Sequence, residues 1–491
     1  MEIHSHLAAV LLPVVFLTTV TAQTIGTTTP EVHPVLQTQT CTLVGGCKTK
    51  LTKLVTDSLA HPIHSVTDPS KSCQPLDPAL CPDQATCAQN CVIEGIQSYE
   101  SIGVLTSGTS LKLREYLLDG TQYKKVQPRV YLLAEDDLNY EPLRLLNSEL
   151  SFDVDVSALG CGMNGALYLS EMDMSGSRNS NLNPAGAQYG TGYCDTQCFK
   201  TPAFINGLAN INGSGSCCNE MDIWEANSRS TAYTPHTCSG VGSFLCSGNE
   251  CDSGVGVCDK PGCSLNTFGL GAPGFYGRGR VEHRLDSTRP FTVVTQFWTA
   301  DNTTSGDLIE IRRLYVQDGS VFPSTAETTN GAVNNIPGGW DGSITEEYCA
   351  VRNPASDFTR LGGLKGMGQS LARGMVLIFS IWNSDGDFMS WLDGQASGNG
   401  PCNATEGDPA TIVKTQPDTS VTFSNIRWGD IGSTFKVDGP SNGSTPAPGT
   451  GTGVAAAVAT NGVVGGDVLE RSVTIWAIVG LVTVWMGMFL S

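Results

Sequence analysis

Residues 217–228 read CCNEMDIWEANS, and within them Glu220, Asp222 and Glu225 place three carboxylates in a span of six residues. Like charges so close raise one another's pKa, so at least one carboxyl of such a set keeps a proton near neutral pH. A protonated acid beside an ionised carboxylate is what cleavage of a glycosidic bond requires. One group donates to the leaving oxygen. The other attacks the anomeric carbon or activates water, and the third positions the attacking group. Two other chemistries fit the same residue types. Calcium takes several carboxylate oxygens, and a strand can simply turn an acidic face to solvent. The motif alone leaves all three open.

The elements that would carry these residues are strands. On a strand, Glu220 and Asp222 share a face while Met221 and Ile223 point the other way. Glu225 has the wrong parity for the carboxylate face, and a bulge between 222 and 225 would turn it back. Period-two runs recur along the chain. SFDVDVS (151–157) sets Phe152, Val154 and Val156 opposite Asp153 and Asp155, and FTVVTQFWT (291–299) and GMVLIFSIW (374–382) are rich in strand formers. In VTFSNIRW (421–428) the apolar parity flips near Asn425, which predicts a second bulge. Turn residues separate these runs and helical periodicity is scarce. The expected class is all-β, with sheets packed on one another and no internal repeat.

Composition narrows the partner. The chain has 491 residues and a formal charge of -19, with 40% hydrophobic residues. That charge argues against nucleic acid or an anionic lipid surface. The 18 cysteines lie between Cys41 and Cys402. So many cysteines predict a disulfide framework made in the secretory pathway. The competing reading is zinc, for which Cys194 and Cys198 with Cys217 and Cys218 have four-thiolate spacing.

The ends read as processing signals. The apolar run HLAAVLLPVVFLTTVTA (6–22) predicts a signal peptide, residues 1–22, although it lacks a basic n-region. Residues 438–465 read as a Gly/Ala/Thr-rich linker. Residues 466–491 end in VTIWAIVGLVTVWMGMFLS with no basic segment after it. Small residues, a short spacer and a terminal apolar tail are the layout of a glycolipid-anchor (GPI) signal, removed on attachment near Asn461. A retained membrane helix is the alternative. Sequons at Asn212, Asn302, Asn403 and Asn442 are candidate glycosylation sites.

The company of the acidic motif is more specific than the motif. CCNEMDIWEAN resembles the catalytic signature of glycoside hydrolase family seven, the fungal cellulases, in which Glu-x-Asp-x-x-Glu follows paired cysteines. CPDQATCAQNC (81–91), ELSFDVDVSALGCGMNGALYLSEMD (149–173), GTGYCDTQC (190–198), TPHTC (234–238), GMVLIFSIWN (374–383) and VTFSNIRWGDIGST (421–434) match in order. The resemblance covers about residues 31–437, within an expected catalytic domain of 23–437. It implies a curved antiparallel β-sandwich of the jelly-roll, concanavalin-like type, with long loops and many disulfides. It implies a retaining double displacement with Glu220 as nucleophile, Glu225 as acid/base and Asp222 tuning the nucleophile. Trp382 and Trp391 match tryptophans that stack on glucose rings, and Tyr168, Asp195, Gln197 and His236 match residues near the catalytic centre. The parity of Trp382 with Ser380, rather than with Met375, Leu377 and Phe379, favours the groove.

The resemblance also implies nine disulfides: Cys41–Cys47, Cys73–Cys91, Cys81–Cys87, Cys161–Cys402, Cys194–Cys218, Cys198–Cys217, Cys238–Cys258, Cys246–Cys251 and Cys263–Cys349. These use every cysteine and remove the zinc reading. No metal or cofactor is expected, and a monomer is. The segments INGLANINGSGS, DSGVGV and LDGQASGNGPC are short where tunnel-forming members carry long loops, so they resemble the endo-β-1,4-glucanase branch. LVTDSLAHPIHS (54–65) lacks the family's distal tryptophan platform, and no cellulose-binding module follows the linker. The expected activity is internal cleavage of cellulose or mixed-linkage β-glucan, at the cell surface or secreted. The alternatives are a wall-glucan transglycosylase on the same site, a non-catalytic β-glucan-binding protein and a structural surface protein. The last two would need a lost catalytic residue, and all three carboxylates are present.

Overall fold

The structure, a computed structural model, describes residues 24–324, 336, 340–354 and 356–436. The expected signal peptide, linker, anchor signal and Asn442 lie outside the described residues.

Eleven strands frame the site: β1 (Val35–Thr42), β2 (Gly46–Thr56), β3 (Arg129–Leu133), β4 (Glu149–Asp155), β5 (Asn164–Ser170), β6 (Glu220–Ala226), β7 (Thr231–His236), β8 (Phe291–Thr299), β9 (Leu308–Gln317), β10 (Met375–Trp382) and β11 (Ser420–Gly429). They pair in the order β7-β6-β5-β10-β3-β2-β1-β11-β4-β8-β9. All neighbours in this order are antiparallel except β1 and β11, which run parallel. The ribbon therefore doubles back on itself. Leu167 and Leu169 of β5, Met221, Ile223 and Trp224 of β6, and Leu377 and Phe379 of β10 share one core with Phe152 of β4, Val293 and Phe297 of β8 and Phe423 of β11. Edge-to-face rings lock the layers together: Phe152 to Trp224 at 6.3 Å and Phe152 to Phe423 at 5.9 Å. This is the expected all-β sandwich, and the alternation of SFDVDVS is realised with Phe152, Val154 and Val156 buried.

Both predicted bulges are present. On β11, Ser151 of β4 faces Arg427 while Asp153 faces Ser424, and Asn425 takes a left-handed φ of 51°. Asparagine tolerates that conformation better than most residues. The bulge in β6 is described with the site. Helical periodicity misses one element of moderate length, α1 (Gly363–Arg373), which buries Leu364, Met367 and Leu371. Its five-residue start, GLKGM, holds two glycines, which weaken the helical signal.

Nine disulfides join the same partners that the family resemblance implies, and no cysteine is free. A thiolate zinc site is thereby excluded. Asn212, Asn302 and Asn403 are exposed.

Candidate active site

Strand β6 positions the carboxylates. Against β5, Trp224 pairs with Leu167 and Asp222 with Tyr168, so Ile223 is the extra residue. Against β7 the register also shifts between Asp222 and Glu225. Ile223 and Trp224 therefore both point into the core, and both are fully buried. The parity of everything after them is reversed. Glu220, Asp222 and Glu225 emerge on the same face, away from Met221, Ile223, Trp224 and Ala226, which all belong to the core.

Each carboxylate has its own partners. Oε2 of Glu220 accepts from the Thr196 amide at 3.1 Å and its hydroxyl at 2.8 Å. Oδ2 of Asp222 lies 2.9 Å from Nε2 of His236. The other ring nitrogen of His236 donates to the Asp259 carbonyl at 2.9 Å, which fixes the imidazole. Gly262 packs on this histidine so closely that a Cβ there would sit 2.5 Å from its Cε1. Glu225 Oε1 accepts from Nδ2 of Asn164 at 3.0 Å, and Oδ1 of the same asparagine accepts from the Ala226 amide.

Burial sets the proton affinities. Glu220 is pushed well above the usual carboxylate range by burial, then by repulsion from Asp222 and Asp195; the His236 cation and Thr196 oppose this. Glu225 is pushed up to about 8 by burial and by Asp222, against His236 and the Asn164 amide. Burial disfavours the charged form of His236, but the bond to Asp222 and the fields of Asp222 and Glu220 win and raise it to about 10. The site holds an imidazolium beside Asp222 and at least one protonated glutamate at neutral pH.

The loop Cys194–Cys198 is stapled onto the strand entry by Cys194–Cys218 and Cys198–Cys217. Asp195 and Gln197 sit in it either side of Thr196. Tyr193 donates to Oδ2 of Asp195 at 2.9 Å, and its hydroxyl lies 3.1 Å from that of Tyr168. Gln197 donates to the Lys260 carbonyl at 3.2 Å, next to Asp259, whose carbonyl holds His236. Arg129 stacks over the Tyr193 ring at 3.5 Å and forms an ion pair with buried Asp57. A cavity of about 460 Å³ lies against Tyr193 and Asp195, lined also by Asp57, Arg129, Phe199 and Asn206.

Trp382 ends β10 directly opposite Asn164, the donor to Glu225. Its ring centroid lies 6.4 Å from that of Trp391, which is 36% exposed on the one-turn helix α2 (Ser390–Asp393). The two indoles form one aromatic surface at the Glu225 end of the site. That helix is tied down by Asp393, whose Oδ2 accepts from the Gly162 amide at 2.8 Å and from Nδ2 of Asn227 at 2.7 Å.

Thr196, Asn164, Tyr193 and Asp393 escape a reading of the sequence. Thr196 lies between two residues the resemblance implicates, and Asn164 opens a strand that is otherwise apolar apart from Tyr168 and Ser170. Those are the only local signals. Each bond spans 24 residues or more apart from that of Tyr193 to Asp195.

A β-sandwich that gathers carboxyls and an imidazolium on one sheet face, beside a half-buried and an exposed indole, is built as a glycoside hydrolase. The profile of glycosyl hydrolase family 7 matches residues 25–435, and the chain belongs to that family. It is 58% identical over 433 residues to a protein of Aspergillus terreus named "Probable endo-beta-1,4-glucanase celB", covering 88% of this chain and 97% of that one. Among solved structures it matches the endocellulase EGI of Humicola insolens with a TM-score of 0.78 and 47% identity, over 84% of this chain and 100% of that one. A family 7 cellobiohydrolase of Daphnia pulex matches with a TM-score of 0.75 and 36% identity, over 84% and 100% of the two chains.

Proposed function

We propose that the protein is an endo-β-1,4-glucanase that cuts internal bonds of cellulose or mixed-linkage β-glucan by a retaining double displacement. The observation that carries this is the bulge at Ile223 and Trp224, which brings Glu220, Asp222 and Glu225 onto one face in separate hydrogen-bonding environments. Thr196 donates twice to Glu220, and bonds of that kind favour the carboxylate. Thr196 thus opposes the burial and the repulsion from Asp222 and Asp195 that hold a proton on Glu220, and Glu220 serves as nucleophile. Glu225, with a single amide donor, keeps its proton and serves as acid.

In the first step Glu220 forms a bond to the anomeric carbon while the bond to the leaving oxygen breaks and takes the Glu225 proton. In the second, water attacks that carbon, its proton passes to Glu225, and Glu220 leaves. Retention requires the two carboxyls to stand about 5–5.5 Å apart. Asp222, held by His236, tunes the nucleophile. Trp382 and Trp391 offer apolar faces to pyranose rings, and Tyr168, Asp195, Gln197 and His236 border the reacting sugar. Greater identity to an endocellulase than to a cellobiohydrolase, together with short loops around the groove, supports internal cleavage. The two ends of the chain support secretion and attachment to the cell surface through a glycolipid, with glycans on the exposed sequons of a monomer.

The test follows viscosity and new reducing ends together on carboxymethylcellulose, with Glu225→Gln as control. Internal cleavage predicts a fast fall in viscosity with few new ends, absent in the control. Many ends with little loss of viscosity would show attack from chain termini. Transfer products in place of new reducing ends would favour the transglycosylase.

A further inference from the structure

Strand β9 alternates from Ile311 onward, with Ile311, Tyr315 and Gln317 turned inward. Arg313 shares that inward parity. It is 1% exposed, in the middle of the sandwich core. Its partners are neutral: Nε donates to Oγ1 of Thr295 at 3.1 Å, and the guanidinium lies 4.2 Å from the centre of the Tyr233 ring. Burying a guanidinium against neutral groups is costly, and an apolar residue of similar size would suit a core better. The position asks for a reason.

The reason lies across the core. Nη2 of Arg313 donates to the carbonyl of Ile223. Ile223 is the extra residue of the β6 bulge, which leaves the ladder there without a partner. A carbonyl unpaired in a dry interior costs roughly 1–3 kcal/mol, so without a donor from the opposite layer the bulge is penalised relative to a regular strand. A regular strand would return Glu225 to core parity, because a one-residue slip flips every side chain.

We propose that Arg313 is a positioning residue for the proton donor: by capping the Ile223 carbonyl it holds the bulge that turns Glu225 onto the face of Glu220. This rests on Glu225 being the acid. It requires no contact between Arg313 and the sugar.

The test compares kcat/KM for cellotetraose, whose leaving group needs protonation, with that for 2,4-dinitrophenyl β-cellobioside, whose leaving group does not. Both values report the first displacement only. Glu225→Gln is the reference. Arg313→Met is expected to lose at least thirtyfold on cellotetraose and less than about threefold on the activated substrate. Arg313→Lys, which keeps a donor, should show the same pattern with a smaller loss. Thermal unfolding of each variant checks that the domain is intact. Equal losses on both substrates would make Arg313 a residue of general stability and overturn the proposal, as would a folded Arg313→Met with no loss. If Arg313→Met does not fold, Arg313→Lys alone decides by the same ratio. A Glu225→Gln variant without leaving-group dependence would instead refute Glu225 as the acid, and the proposal with it.

Discussion

Asn164 and Thr196 make the two glutamates separately adjustable. Asn164→Ala removes the only hydrogen bond that Glu225 accepts from a side chain among the described residues, at 3.0 Å in a part-buried site. A hydrogen bond to a charged group contributes about 1.5–3 kcal/mol, and about 1.4 kcal/mol corresponds to one pKa unit. The proton affinity of Glu225, already raised to about 8, should therefore climb by roughly one to two units. Activity needs Glu225 protonated, so the basic limb of the kcat/KM profile should move to higher pH by that amount. Thr196→Val removes the hydroxyl bond to Glu220 and leaves the amide bond. Glu220 must be ionised, so here the acidic limb should move up, by about one unit, while the basic limb stays. The assay is initial rate on a soluble β-glucan between pH 3 and 10, with circular dichroism to confirm folding. A basic limb unmoved by Asn164→Ala, or moved downward, would refute the assignment of the acid. Both limbs moving in either variant would refute the claim that the two donors act on separate groups.

Other consequences are open to direct measurement. Glu115 is fully buried, and burial raises it from 4.5 to about 8 despite Lys125 and Gln127. The folded chain thus holds that proton more tightly than the unfolded one, and the stability this gives is present below pH 4.5 and lost as pH rises through about 8. Glu115→Gln should match the parent in denaturant unfolding at pH 4 and exceed it at pH 8.5, by at most about 5 kcal/mol; an equal difference at both values would contradict the burial argument. Asp393→Ala removes the acceptor of the Gly162 amide and one of the two bonds that Nδ2 of Asn227 donates, and so loosens the helix that carries Trp391. It should raise KM on β-glucan several-fold with a smaller change in kcat, and combined with Trp391→Ala it should add little. Trp224→Ala empties a core site ringed by Phe152, Tyr276, Phe291 and Tyr315, so a loss of about 3–5 kcal/mol is expected in denaturant unfolding.

Much of this site was legible because strand parity is a local property. The clash in parity between Asp222 and Glu225 already demanded a bulge, and the same reasoning at Asn425 located the other one. The runs at 151–157, 291–299, 374–382 and 421–428 each became a strand, and the apolar residues picked out in 151–157, 374–382 and 421–428 face the core. What could not be read is which strand lies beside which. The parallel pairing of β1 with β11 joins residues nearly 390 positions apart, and no local pattern encodes it. The supporting donors were hidden for the same reason. Asn164 meets Glu225 only because β5 pairs with β6, and Arg313 meets Ile223 only because the two layers face each other. The inward place of Arg313, on the face of Ile311 and Tyr315, is visible only in the folded strand.

The central claim is that Glu220 attacks the sugar while Glu225 protonates the leaving group. Proton nuclear magnetic resonance of the first products from cellotetraose tests it most directly, before the new reducing ends mutarotate. The account predicts that the β-anomer appears first, as two inversions at one carbon require, and that Glu220→Gln and Glu225→Gln abolish its appearance while still binding the oligosaccharide. First appearance of the α-anomer would mean a single displacement by water, and Glu220 would not be the nucleophile.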